Sequence, residues 1–116
     1  MKTGYITQNF EKNEKWWLIG AFKPNIFFTD KFEFGIHKHK KGEIGTNHKH
    51  PLSNEINFVL KGLLKIKNKV IGADGFFVIE KNEECGAVKF LQDTVLLVFR
   101  DGSYPNHDKV VIKKKK

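Results

Sequence analysis

Cysteine occurs once in this chain, at Cys85, and arginine once, at Arg100. A lone cysteine excludes an internal disulfide and suits a reducing compartment. Lysine supplies the remaining basic residues, whereas proteins that read nucleic acid lean on the bidentate fork of arginine. The net charge is +8, but Lys113 to Lys116 carry four of those charges, which leaves the body at +4 (8 − 4). The lysine run reads as a solvated end, and nucleic acid is not the expected partner. No apolar run reaches the roughly eighteen residues of a membrane-spanning helix, so no membrane association is expected. The opening MKTGYITQNFEKNEKWW lacks the apolar stretch of a secretory signal, so a cytoplasmic address is expected.

Short apolar runs rich in Phe, Val and Ile are present instead. They cover Trp16 to Phe22, Ile26 to Thr29, Glu55 to Leu60, Leu63 to Ile66, Phe76 to Ile79, and Thr94 to Phe99. Turn signals such as Lys23-Pro24-Asn25, Lys41-Gly42, Lys61-Gly62 and Asp74-Gly75 separate them. A turn about every ten residues between such runs predicts an all-β sandwich or barrel. Glu80 to Glu84 has room for one short helical turn. The 116 residues fit one domain, over 1–112, with a basic tail over 113–116.

Two pairs of histidines stand out. Phe32, Phe34 and Ile36 alternate with Glu33, Gly35 and His37. This period of two assigns the phenylalanines to the core face and leaves His37 and His39 exposed. The second pair lies in HKHPLSNE, from His48 to Glu55. On a strand, His48 and His50 point to one face, and Pro51 to Asn54 turns the chain so that Glu55 can face the same side. Solvated charges and a satisfied polar core are the plain readings. Two imidazoles and a carboxylate on one face also suit Fe(II), Mn(II), Ni(II) or Zn(II).

With Gly42 and Gly62, the stretch reads G-x5-H-x-H-x4-E-x6-G, which resembles the first motif of the cupin superfamily at all five positions. The resemblance implies a double-stranded β-helix, or jelly-roll barrel, of the kind found in small single-domain cupins. It further implies that His48, His50 and Glu55 are metal ligands inside the barrel. A second motif is degraded. Asp74-Gly75 resembles its turn and Phe76 to Ile79 its strand, but Cys85 falls where the fourth ligand, a histidine, is expected. Glu83, Glu84 or water could take that place.

What the resemblance implies of function is a small metal-binding protein. It would act on or bind a small polar molecule such as a carbohydrate or organic acid. The alternative is a non-catalytic ligand-binding or sensor protein whose metal site has decayed. No dedicated acid or base stands out, and the only tyrosines are Tyr5 and Tyr104. Arg100, ending the last strong strand, could hold an anion at the barrel mouth or pair with a nearby aspartate. Trp16 and Trp17 are adjacent, so only one can face the core of a sheet. The other predicts a homodimer contact.

Overall fold

The computed structural model describes residues 1–6, 15–105 and 108–112. The lysine tail and His107 lie outside the described residues. Among the described residues there are eleven strands: β1 (Lys15–Gly20), β2 (Phe27–Phe28), β3 (Glu33–His39), β4 (His48–Lys49), β5 (Glu55–Lys61), β6 (Leu63–Ile66), β7 (Lys69–Gly72), β8 (Phe76–Ile79), β9 (Lys89–Phe90), β10 (Thr94–Arg100) and β11 (Val110–Val111). Each coincides with an apolar run or lies beside a turn signal that the sequence supplies. No helix of the described residues is long and apolar enough to cross a membrane.

A six-stranded sheet in the order β2-β1-β3-β10-β5-β8 forms one wall. The sheet β7-β6-β9 forms the other, and β4 pairs with β11. Val59, Leu64, Ile66, Ile79, Phe90, Leu96 and Val98 are buried together between the walls. Each such side chain contributes roughly 1.5–3 kcal/mol by leaving water. The turn into β7 takes Lys67 at φ 48° and Asn68 at φ 64°, the paired positive values of a two-residue hairpin. Around Glu80 to Glu84 the chain makes a turn rather than a helical one. Asn82 sits at φ 65°, and the Glu83 amide donates to the Glu80 carbonyl at 2.9 Å.

The faces of β3 are the reverse of the sequence expectation. Glu33 and Gly35 are buried, and His37 and His39 line the interior cavity. Phe34 and Ile36 lie on the outer face, opposite Phe99 and Leu97 of β10. An alternating pattern distinguishes two faces but not which one is inside. Here the inner face carries polar groups that are buried or line the cavity.

The outer face of the large sheet is apolar across its width. Trp16, Ile36, Leu97, Phe58 and Phe76 are successive cross-strand partners, and Ile19, Phe34, Phe99, Ile56 and Val78 form a second row beside them. Phe58 is 45% exposed and Phe76 64%. Trp17 is the inward tryptophan, packed opposite Gly35, and Trp16 points outward beneath the Lys38 ammonium, 4.9 Å from its ring.

Two outcomes are expected from this fold. Apolar faces of this extent commonly mark association sites, and the homodimer expected from Trp16 and Trp17 would return twice the 13.5 kDa of one chain in light scattering at micromolar concentration. A monomer mass would contradict that reading. Gly62 sits at φ +100°, and a Cβ there would lie 2.3 Å from the Asp93 carbonyl oxygen. Gly62→Ala should therefore cost about 3 kcal/mol in a denaturant melt, and a loss below about 1 kcal/mol would contradict the crowding.

Candidate metal centre

The stretch from His48 to Glu55 is held by the chain on both sides. The Cys85 amide donates to the His48 carbonyl at 2.9 Å, and the Asn82 amide to the His50 carbonyl at 2.8 Å. On the other side β4 pairs with β11. The turn between His50 and Glu55 is fastened by two aspartates. Asp108 accepts from the Leu52 amide and the Ser53 hydroxyl. Asp101 accepts from the Asn54 amide at 2.8 Å and its side chain at 2.7 Å. The backbone that presents both imidazoles is thus fixed before any ligand arrives.

Each imidazole is oriented by a backbone carbonyl. Nδ1 of His48 lies 2.8 Å from the Thr46 oxygen, and Nδ1 of His50 lies 2.6 Å from the Asp108 oxygen. A carbonyl only accepts, so Nδ1 carries the proton in both rings and Nε2 keeps the lone pair. That tautomer suits ligation through Nε2, and a hydrogen bond at the other ring nitrogen is the kind of contact that fixes it. One ligand atom from each of His48, His50 and Glu55 lies within 4.8 Å of the others. Two nitrogens and a carboxylate oxygen are donors that fit a divalent transition metal.

The surroundings tune these groups. Burial lowers the His48 ring below its ordinary 6.5, against the Thr46 hydrogen bond, which raises it. Burial would raise the Glu55 carboxyl, but the Arg100 guanidinium bonded to it outweighs burial and holds the group well below the usual carboxylate range. Glu55 therefore stays ionised. Its Oε1 accepts from the Asn57 side chain at 3.1 Å, and its Oε2 from Nε of Arg100 at 2.8 Å.

Cys85 stands beside this group on the wall of the same cavity. Its sulfur lies 3.4 Å from Nδ1 of His48 and is not one of the three convergent ligand atoms. It is 4% exposed, and burial pushes its thiol above the ordinary 9.0. The backbone bond from Cys85 to His48 places residue 85 alongside β4. Glu83 turns outward to Lys67 at 2.6 Å, and Glu84 accepts from Asn47 at 3.3 Å. Neither joins the three convergent ligand atoms.

The site opens into a cavity of about 410 Å³, walled by Trp17, Phe77 and Phe90 among others. Two of its groups were not legible in the sequence as site residues. His39 stacks on Phe90 at 4.0 Å with 7° between the rings, and its Nδ1 lies 2.9 Å from Oε1 of Glu43. The H-x3-E spacing of His39 and Glu43 is the signal that could have found this pair. Asp108, in the Asp108-Lys109 step near the end of the chain, is the other.

No protein-family model matches the chain, and no curated protein sequence matches it. Solved structures do. The chain is similar to a protein with a cupin-like fold from Ralstonia eutropha, at 8% identity and a TM-score of 0.64, over 86% of this chain and 63% of that one. The chain has the cupin fold. The same fold relates this chain to the DMSP lyase DddQ from Ruegeria pomeroyi, at 19% identity and a TM-score of 0.68 over 83% of its residues. It spans about half of that lyase, 49% of its length. An acetylacetone dioxygenase from Acinetobacter johnsonii is similar at 12% identity and a TM-score of 0.56, over 71% of this chain and 63% of that one. Likeness at these identities establishes the double-stranded β-helix and leaves the chemistry to the site itself.

Two measurements check this geometry. The His48 ring is favoured neutral in the fold, so the unfolded chain takes up a proton there first. Stability should therefore fall as pH drops below 6.5 and level off below the folded value. Metal affinity should weaken over the same acid range, since the ligand must be neutral. Affinity that stays flat down to about pH 5 would contradict histidine ligation. Because Cys85 stays a buried thiol, thiol reagents should modify it slowly and at one rate with or without chelator. Faster modification after chelation would place the sulfur on the metal.

Proposed function

We propose that this cupin binds a divalent transition metal, of the Fe, Mn, Ni or Zn class, through His48, His50 and Glu55, and acts on or binds a small polar molecule in the cavity beside them. A carbohydrate or an organic acid is the class of molecule this cavity suits. The observation that carries the reading is the pair of carbonyl-locked imidazoles, both presenting Nε2 beside an ionised carboxylate. Water completes the three-residue site, and Cys85 beside His48 remains a thiol. When bound, such an ion supplies Lewis-acid chemistry to an oxygen of the bound molecule.

The chain's own residues supply the rest. Trp17, Phe77 and Phe90 give apolar walls that exclude water. Asn57 and Arg100 present polar groups on the same inner face and orient the guest. His39, with Nδ1 directed at Glu43, carries its basic nitrogen at Nε2 and is the group placed to hold or move a proton. Two of the similar structures are named as a lyase and a dioxygenase, which supports an enzyme over a passive binder.

A second reading has its own observation. Arg100 already bonds Glu55 and lies 3.3 Å from Nε2 of His50. A site permanently closed in this way would belong to a non-catalytic ligand-binding or sensor cupin. Elemental analysis separates the two. The wild type reconstituted with metal should hold about one ion per chain, and His48→Ala/His50→Ala should hold none while keeping a β-type circular dichroism spectrum. The His50 substitution should also cost about 2 kcal/mol, since it empties a buried, hydrogen-bonded position. Unchanged metal content in the folded double variant would sink the site.

A further inference from the structure

Arg100 is surrounded by groups that divide into two sets. Nε donates to Oε2 of Glu55 at 2.8 Å, and Nη2 lies 3.3 Å from Nε2 of His50. On the other side Nη1 donates to Oε1 of Glu33 at 3.2 Å, and the guanidinium lies 4.5 Å from the Trp17 ring centroid. Glu33 is itself fixed by the Ser103 hydroxyl at 2.9 Å. The first set is shared with the metal centre. The second set is independent of it.

The sharing forces a choice. Nδ1 of His50 is committed to the Asp108 carbonyl, so Nε2 holds the ring's one lone pair. That lone pair serves either an N–H of Arg100 or a metal ion, but not both. Two cations a few ångströms apart also repel in a dry site. At present the guanidinium acts as the cation, which is why Oε2 of Glu55 and Nε2 of His50 can lie 3.1 Å apart. A divalent ion has the stronger claim on a neutral imidazole and an ionised carboxylate.

Displacement would not set Arg100 loose. Glu33 and Trp17 retain it from behind, so the head group stays at the cavity wall. The edge it gives up, Nε and Nη2, is a parallel pair of donors that matches a carboxylate bidentately. We propose, building on the metal reading above, that the metal ion and Arg100 exchange places on His50 and Glu55, and that the displaced Nε–Nη2 edge then receives a carboxylate of the molecule bound in the cavity. Metal and carboxylate ligand would therefore bind in order, the ion creating the receptor for the acid.

Calorimetric titration tests this with Mn2+ and acetate as probes, on the wild type, Arg100→Gln, and Arg100→Gln/Glu33→Gln. The double variant removes one carboxylate with the cation, so it keeps the charge balance if Glu33 and Glu55 repel too strongly for the single variant to fold. Both variants should bind Mn2+ at least about tenfold more tightly than the wild type, having lost the competitor. Acetate should bind the Mn2+-loaded wild type, not the metal-free one, and at least about tenfold more weakly to the loaded variants. Mn2+ affinity that is equal or lower in the variants overturns the exchange alone, as does acetate affinity that ignores Arg100. Failure of every protein to bind Mn2+ overturns the metal reading and the exchange with it.

Discussion

A buried row of charge organises this molecule. Glu33 on β3, Arg100 on β10 and Glu55 on β5 are direct cross-strand partners, so one register places a guanidinium between two carboxylates. Their side chains are 7%, 17% and 12% exposed. Taking such groups from water is expensive, and each is tolerable only while the others are present. Loss of one member leaves the rest uncompensated, at a cost of about 3–5 kcal/mol. A one-residue slip of β10 would put a leucine or phenylalanine parity on the inner face and strand the arginine outside. The row therefore sets the register of the three central strands as well as the charge of the site.

The imidazoles depend on a second layer of constraint. Asp108 reaches across from beside β11 to cap the turn with its carboxylate and to orient His50 with its carbonyl. Thr46 does the same for His48. These contacts determine which nitrogen of each ring faces the cavity, so the donor set is built by backbone geometry rather than by the histidines alone. Preorganisation of this kind suits the proposed three-residue site, beside which the Cys85 thiol is buried.

The strands were legible because apolar runs and turn residues agree at nearly every boundary, as at Lys67-Asn68 and Lys61-Gly62. The candidate centre was legible because two histidines and a glutamate keep their spacing around one tight turn. The inner face of β3 was not. Phe34 and Ile36 look like core residues, yet they cover the outside, because the inner face is given over to Glu33, His37 and His39. Residue type predicts burial only where the interior is apolar, and a cavity with chemistry in it inverts the rule. Cys85 was legible as a position beside His48, because counting residues reaches the right strand edge. The partners of Arg100 were hidden for a similar reason, since pairing across strands 45 and 67 residues apart leaves no local trace.

The central claim is that His48, His50 and Glu55 form a cation site whose position beside Arg100 is fixed by the fold. Anomalous diffraction from crystals grown with Mn2+ tests it most directly. The account predicts one anomalous peak within coordinating distance of Nε2 of His48, Nε2 of His50 and a Glu55 oxygen, with Arg100 withdrawn toward Glu33. Crystals with no peak there, and with Arg100 still bonded to Glu55 and His50, would contradict it.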